Sequence, residues 1–240
     1  RTYDLLSRLI LERKTRYACK NATRIIAMSE QTKRDIIDFY HTDPDRIDVI
    51  YQGCNPAFYH KVSPEKINSV LDEYNLPERY MISVGTIEDR KKHSTIVKAI
   101  ARLDEPDIPL VIVSKNTPLQ KKLECEIREL GIDDRVRIIN NVPFDRLPAL
   151  YQGSRLAIYF SYFEGFGIPV LEAIASGVPV IAATGSCLEE AGGEGAMYCD
   201  PFDPDGLAET ISSVLYDDDL RRRLAVGGTE HLRKFTPDAL

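Results

Sequence analysis

Two glutamates eight positions apart, Glu164 and Glu172, enclose the run Gly165-Phe166-Gly167-Ile168-Pro169-Val170-Leu171. Glycines at 165 and 167 let a backbone come close to a ligand. Pro169 suits the first helical position, because it lacks only an amide hydrogen that the first turn leaves unpaired. The free amides of that turn, with the helix dipole, favour an anion such as a phosphate. Glu172 then falls in a helix that is apolar nearly all round, through Val170, Leu171, Ala173 and Ile174, and should be buried. A buried carboxylate needs partners. Two readings stand: Glu172 complements the helix dipole, or it accepts hydrogen bonds from the two hydroxyls of a ribose.

A second stretch, Gly85-Thr86-Ile87-Glu88-Asp89-Arg90-Lys91-Lys92-His93, gathers cations. The planar fork of Arg90 and the point charge of Lys91 both suit phosphate oxygens, although a solvated surface loop would have the same composition. Together the two stretches could stabilise the charge that develops on a diphosphate leaving group. No clustered carboxylates suggest a magnesium clamp, so no metal is expected. The run Asp217-Asp218-Asp219 reads as a solvated helix start.

These loops need a scaffold that brings them together. From residue 79 onward, short β-branched runs alternate with helical patterns, the signature of a parallel sheet wrapped by helices. Strands are expected at 79–85, 109–114, 135–139, 155–160, 178–183 and 196–199. Helices are expected at 93–103, 117–130, 144–152 and 169–176, with a turn near Leu188 and a last pair after Pro204; Gly131 and Gly177 are placed to end two of them. In the doubly wound order 3-2-1-4-5-6, ligands bind where the order reverses, between the loops that leave strands 1 and 4. Those are the Gly85 loop and the Glu164 loop.

Before residue 79 the chain supplies a basic helix (3–20), a strand (24–28), a helix capped by Ser29 and a strand (47–51). Two strands do not make a domain. The expected organisation is therefore a remnant of a second α/β domain at 1–55, a linker and connecting helix at 56–78, a Rossmann-like nucleotide-binding domain at 79–216 and a helical segment at 217–240. Unpaired strand edges leave self-association through residues 1–55 open.

Composition narrows the classes. With 240 residues, 43% hydrophobic and 28% charged, the chain can bury one sizeable core. A formal net charge of -6 argues against a nucleic-acid binder, which needs a basic face. No apolar run approaches the ~20 residues that span a bilayer, which leaves room only for a peripheral membrane contact. The five scattered cysteines, with no Cys-x-x-Cys pair, read as reduced thiols of a cytoplasmic protein. The four histidines read as surface or loop residues, with only His93 near the candidate site.

The stretch from Glu164 to Glu172 resembles the Glu-x7-Glu motif of the "group 1" family of retaining GT-B glycosyltransferases. Residues 24–30 and 45–53 resemble the end of that family's acceptor domain, 81–98 its strand and Lys-bearing loop, and 186–205 the segment that closes its donor domain. The resemblance implies that the chain is one half of a GT-B fold, an enzyme whose donor is a nucleoside-diphosphate sugar, transferred with retention to a carbohydrate or lipid-linked acceptor without a cofactor. It implies that Glu172 holds the ribose, Glu164 contacts the donor sugar, and Arg90 and Lys91 neutralise the diphosphate. Gly85, Gly165, Phe166, Gly167 and Ile168 would line the donor, and Val142 would lie beside the base through its backbone. Two positions depart from the family: Ser114-Lys115-Asn116 stands where a Gly-x-Gly pair is common, and Thr86 where an arginine is common. Arg90 is then the substitute cation. The acceptor side would belong to an absent front domain, so the chain alone is expected to bind donor without transferring sugar. A nucleotide-binding regulatory module or a sugar-nucleotide epimerase of the same shape is the alternative. A dinucleotide oxidoreductase is disfavoured, because its glycine fingerprint does not follow strand 1.

Overall fold

The computed structural model describes residues 5–104 and 108–236. Residues 3 and 4 of the predicted first helix and 237–240 of the predicted last segment lie outside the described residues. The first lobe consists of α1 (Leu5–Asn21), β1 (Ile25–Ala27), α2 (Glu30–Tyr40) and β2 (Ile47–Val49), with β1 and β2 paired in parallel. Ser29 caps α2 by accepting a hydrogen bond from the amide of Thr32. Helix α1 buries only Cys19 among its described side chains, and Leu5, Leu6 and Leu9 are exposed.

The stretch expected as a linker is anchored. Phe58 is fully buried, edge-on to Phe144 (5.6 Å between ring centroids) and to Tyr151 (5.8 Å). Helix α3 (Pro64–Glu73), capped by Ser63, leads into the second lobe.

There six strands run parallel: β3 (Met81–Val84), β4 (Leu110–Ser114), β5 (Val136–Asn140), β6 (Leu156–Tyr159), β7 (Val180–Ala183) and β8 (Ala196–Cys199). Their order is β5-β4-β3-β6-β7-β8, the doubly wound arrangement expected, with the switch point between β3 and β6. Strands β4, β6 and β7 are buried along their whole length, as a parallel sheet covered on both faces requires. Helices α4 (His93–Arg102), α5 (Pro118–Glu129), α6 (Leu147–Gly153), α7 (Ile168–Ala175), α8 (Leu188–Gly192), α9 (Pro204–Tyr216) and α10 (Asp218–Leu232) wrap it.

Several expectations change in detail. The helix expected at 144–152 divides into a 3-10 turn, Phe144–Arg146, and α6, because Pro148 has no amide hydrogen with which to continue an α-helical ladder through the junction. Helix α7 starts one residue early, so Pro169 is its second residue and Gly167 its N-cap. His93, expected at the surface, is buried at the start of α4. Gly131 (φ +67°) and Gly177 (φ +75°) do follow α5 and α7 in the left-handed region, and Asp217 caps α10 through the amide of Leu220 (2.8 Å).

Gly167 has no room for a side chain. Its φ is +121°, and a Cβ there would meet Leu188 Cδ2 at 2.6 Å. Gly167→Ala should therefore destabilise the chain by about 2 kcal/mol, from backbone strain and the clash. A urea denaturation midpoint equal to that of the parent would contradict this.

Candidate functional site

Strand β3 delivers Gly85 to the switch point, followed by a 3-10 turn over Asp89–Lys91 and by Lys92 in the left-handed region (φ 49°). A Cβ on Gly85 would meet Lys91 Nζ at 2.9 Å, so glycine is what lets the lysine fold back over the strand end. On the other side of the switch point, the loop leaving β6 is tied to this turn through the backbone. The amide of Tyr162 donates to the Arg90 carbonyl (3.0 Å), and the hydroxyl of Ser161, fully buried, lies within hydrogen-bond reach of the carbonyls of Arg90 (3.2 Å) and Phe163 (3.1 Å).

Between the two loops sits a charged cluster. The Arg90 guanidinium pairs with Glu164 through Nη1 and with Glu88 through Nε (2.8 Å), and Nη1 also donates to the Phe163 carbonyl (3.2 Å). Lys91 Nζ donates to the Tyr159 hydroxyl (2.7 Å), which donates to Glu164 Oε1 (2.7 Å); Nζ itself is 3.5 Å from that oxygen. The side chains of Lys91 and Glu164 are 11% and 15% exposed, that of Arg90 31%. Burial pushes the Lys91 ammonium below its usual range, with Glu164 offsetting only part of that. Burial alone would raise the Glu164 carboxyl, but Lys91, the Tyr159 hydroxyl and Arg90 outweigh it and hold it below the ordinary carboxylate range. Burial, reinforced by Glu164, pushes the Tyr159 phenol far up. Two cations thus face two carboxylates, Glu164 and Glu88, and the more exposed Arg90 is the one able to leave its carboxylates for an incoming anion.

Glu172 lies in a different setting, on α7 against α6 and the segment before Phe58. Its pKa is pushed up to about 7 by burial, against which a hydrogen bond from the Tyr151 hydroxyl works only in part. Cys54 is close enough to feel its charge. Contrary to the expectation that its apolar helix would bury it, Glu172 is half-buried, because it lies on the part of α7 that the core does not cover; among the described residues no ion pair reaches it.

The structure therefore brings Arg90, Lys91 and Glu164 together, and holds Glu172 separately among phenol and thiol groups. Gly167 is accounted for by its positive φ and by Leu188, whereas a Cβ at Gly165 would meet only the flexible end of Met28, Cε at 2.8 Å. Phe166 is buried between Tyr51 (5.4 Å) and Phe235 (5.4 Å), so its side chain belongs to the core. Ile168 and Val142 are half-buried and packed on the core, with Val142 just beyond the carboxyl end of β5. Tyr159, Ser161 and Cys187, whose thiol lies 3.2 Å from the Glu164 carbonyl, were missed by sequence reasoning. The available signal was a hydroxyl at the carboxyl end of a strand that borders the switch point. His93 is neutral, its pKa lowered to about 3 by burial and then by Lys91, and it is no base at ordinary pH. A cavity of about 600 Å³ opens beside this loop, lined by Ile87, Glu88, Lys92, His93 and residues of α4 and α5; Arg90, Lys91, Glu164 and Glu172 do not line it. Among the described residues no helix is long and apolar enough to cross a membrane, and no group of three or more His, Cys, Asp or Glu side chains could hold a metal ion.

Residues 67–231 match the family model described as glycosyl transferases group 1, and residues 2–58 match that of glycosyltransferase family 4. The chain is 28% identical over 231 residues to the O-antigen chain mannosyltransferase B of Escherichia coli, covering 94% of this chain and 60% of that protein. It is 30% identical over 227 residues to the D-inositol 3-phosphate glycosyltransferase of Corynebacterium efficiens, covering 90% of this chain and 54% of that protein. It thus spans little more than half the length of these relatives. Among solved structures, Anabaena HepE in complex with UDP-glucose superposes with a TM-score of 0.82 at 21% identity, over 93% of this chain and 62% of that one. The six-stranded lobe, its switch point and a family match over residues 67–231 lead to one assignment: the chain belongs to the group 1 glycosyltransferases.

Proposed function

We propose that the chain is the donor-binding part of a retaining glycosyltransferase that takes a nucleoside-diphosphate sugar as a cytoplasmic enzyme. The observation that supports this best is the joining of Arg90, Lys91 and Glu164 across the switch point of the sheet, where open α/β sheets bind ligands. HepE, of the same fold, is a structure with UDP-glucose. In this reading Arg90 exchanges Glu164 and Glu88 for the diphosphate, and Lys91 stays under the strand end as a fixed positive charge. Glu164, freed of Arg90, accepts hydrogen bonds from hydroxyls of the sugar. Glu172 in its ionised form takes the two ribose hydroxyls. Charge building on the leaving diphosphate is met by preorganised cations and α7 amides, in a site where such interactions outweigh their strength in water. The acceptor hydroxyl of a carbohydrate or lipid-linked acceptor must be positioned from outside the elements described, and that positioning supplies several kcal/mol of the barrier.

The test is calorimetric titration of the chain with UDP, GDP and ADP and with their hexose conjugates, alongside thermal melts. One nucleoside diphosphate should bind and raise the melting temperature, since a ligand selective for the folded state stabilises it. Chelation with EDTA should leave its affinity within about threefold, because protein cations and backbone amides take the part a metal would play; a loss of about a hundredfold would reveal a metal requirement. Acceptor-dependent turnover by this chain at about 1 per second or more would contradict the donor-only reading.

A further inference from the structure

The carbonyl of Gly165, one residue beyond Glu164, is held from the first lobe. The Ser29 hydroxyl reaches it at 2.8 Å and the Thr32 hydroxyl at 3.1 Å, across 136 and 133 positions of sequence. Ser29 is fully buried, and its oxygen also accepts the amide of Thr32 as the cap of α2, which fixes its direction. The reverse hold comes from α8. The Glu190 carboxylate accepts the first amides of α2, from Glu30 (2.7 Å) and Gln31 (2.8 Å), and the Tyr51 hydroxyl (3.3 Å). A carboxylate at the positive end of a helix, taking charge-assisted hydrogen bonds, is a strong and directional contact. The preceding carbonyl, of Glu164 itself, faces the thiol of Cys187 just before α8. The Glu164 side chain is gripped by Arg90, Lys91 and Tyr159, its own carbonyl meets the Cys187 thiol, and the next carbonyl, of Gly165, is held by Ser29 and Thr32 at the start of α2.

We propose that Ser29, Thr32 and Glu190 are positioning residues of the donor site: the first turn of α2, clamped by Glu190, sets the backbone of the Glu164 loop and with it the hold on the donor sugar. This rests on the reading that Glu164 contacts that sugar. The first lobe would then tune the donor sugar more than the nucleotide, because its hydroxyls hold the Glu164 loop at the Gly165 carbonyl, whereas Arg90 and Lys91 lie on the turn after β3 and Glu172 lies within α7.

The test compares the affinities of UDP with UDP-glucose and of GDP with GDP-mannose by calorimetry, for the parent, the Ser29→Ala/Thr32→Val double variant, Glu190→Gln and Ser29→Thr. In the double variant and in Glu190→Gln, nucleoside-diphosphate affinity should stay within about threefold of the parent, while the advantage of the sugar conjugate falls about tenfold. Ser29→Thr keeps a hydroxyl and should retain the advantage. A sugar advantage undiminished in both variants overturns the proposal while leaving the donor reading in place. So does a parallel loss for both ligands, the mark of general loosening. A parent that binds the nucleoside diphosphate with no sugar advantage also overturns it. A parent that binds no nucleotide removes the donor reading and the proposal together.

Discussion

Replacing Lys91 by methionine should destabilise the folded chain by about 3 kcal/mol, and adding Glu164→Gln to that variant should restore most of the loss. Lys91 and Glu164 are both nearly buried and share the Tyr159 hydroxyl. Removing one member of a buried pair leaves the other charge desolvated, which costs about 3–5 kcal/mol, whereas removing both charges is often close to neutral. The lower end applies because Arg90 remains beside Glu164. Urea denaturation of the four members of the double-mutant cycle measures the coupling, expected to be at least about 2 kcal/mol. A single Lys91→Met cost below about 0.5 kcal/mol would mean that the cluster behaves as exposed ion pairs do. Arg90→Ala should show that milder behaviour in stability yet weaken a nucleoside diphosphate, since Arg90 is the more exposed cation and the one free to turn toward phosphate.

Glu172→Gln should weaken nucleoside-diphosphate binding by about two orders of magnitude, because two hydrogen bonds to a charged group are lost at roughly 1.5–3 kcal/mol each, less what the neutral amide recovers. The same substitution should alter the pH dependence of folding. The folded pKa of Glu172, about 7, lies above its unfolded value near 4.5, so the native state binds the proton more tightly. This group's stabilising contribution is complete below pH 4.5 and is lost as pH rises through 7, about 3 kcal/mol in all. Between those limits Glu172→Gln should flatten the curve, and at pH 8 it should be more stable than the parent. Ligand binding should run the other way: a ribose that requires the carboxylate binds the parent less well as pH drops below 7, and binds Glu172→Gln without that slope. Nucleotide affinity within threefold of the parent, or an unchanged pH profile, would remove Glu172 from the ribose.

The sequence by itself determined the layered α/β lobe, because strand and helix periods are local properties of short segments. The β-branched runs 110–114 and 180–183, the helical spacing within 118–129 and the glycines at 131 and 177 each announce one element without knowledge of any other. It also named Arg90, Lys91, Glu164 and Glu172, since unusual charges next to glycines and within an apolar helix are visible in one dimension. Only the tertiary structure decided how those charges pair. Glu164 meets Arg90 and Lys91 across more than seventy positions of sequence, and Tyr159 enters because the end of β6 lies beside β3, a neighbour relation no local pattern encodes. The role of Gly167 changed for the same reason: its positive φ and the approach of Leu188 call for glycine there, while Gly165 packs against the end of Met28, and both partners lie well away in sequence. His93 read as a surface residue because a basic run looks solvated, yet the turn before α4 leaves it buried beside the cavity. Contacts such as Ser29 on Gly165 depend on how two lobes dock, a balance of many surfaces at once, and that is information carried by the fold rather than by any segment of the chain.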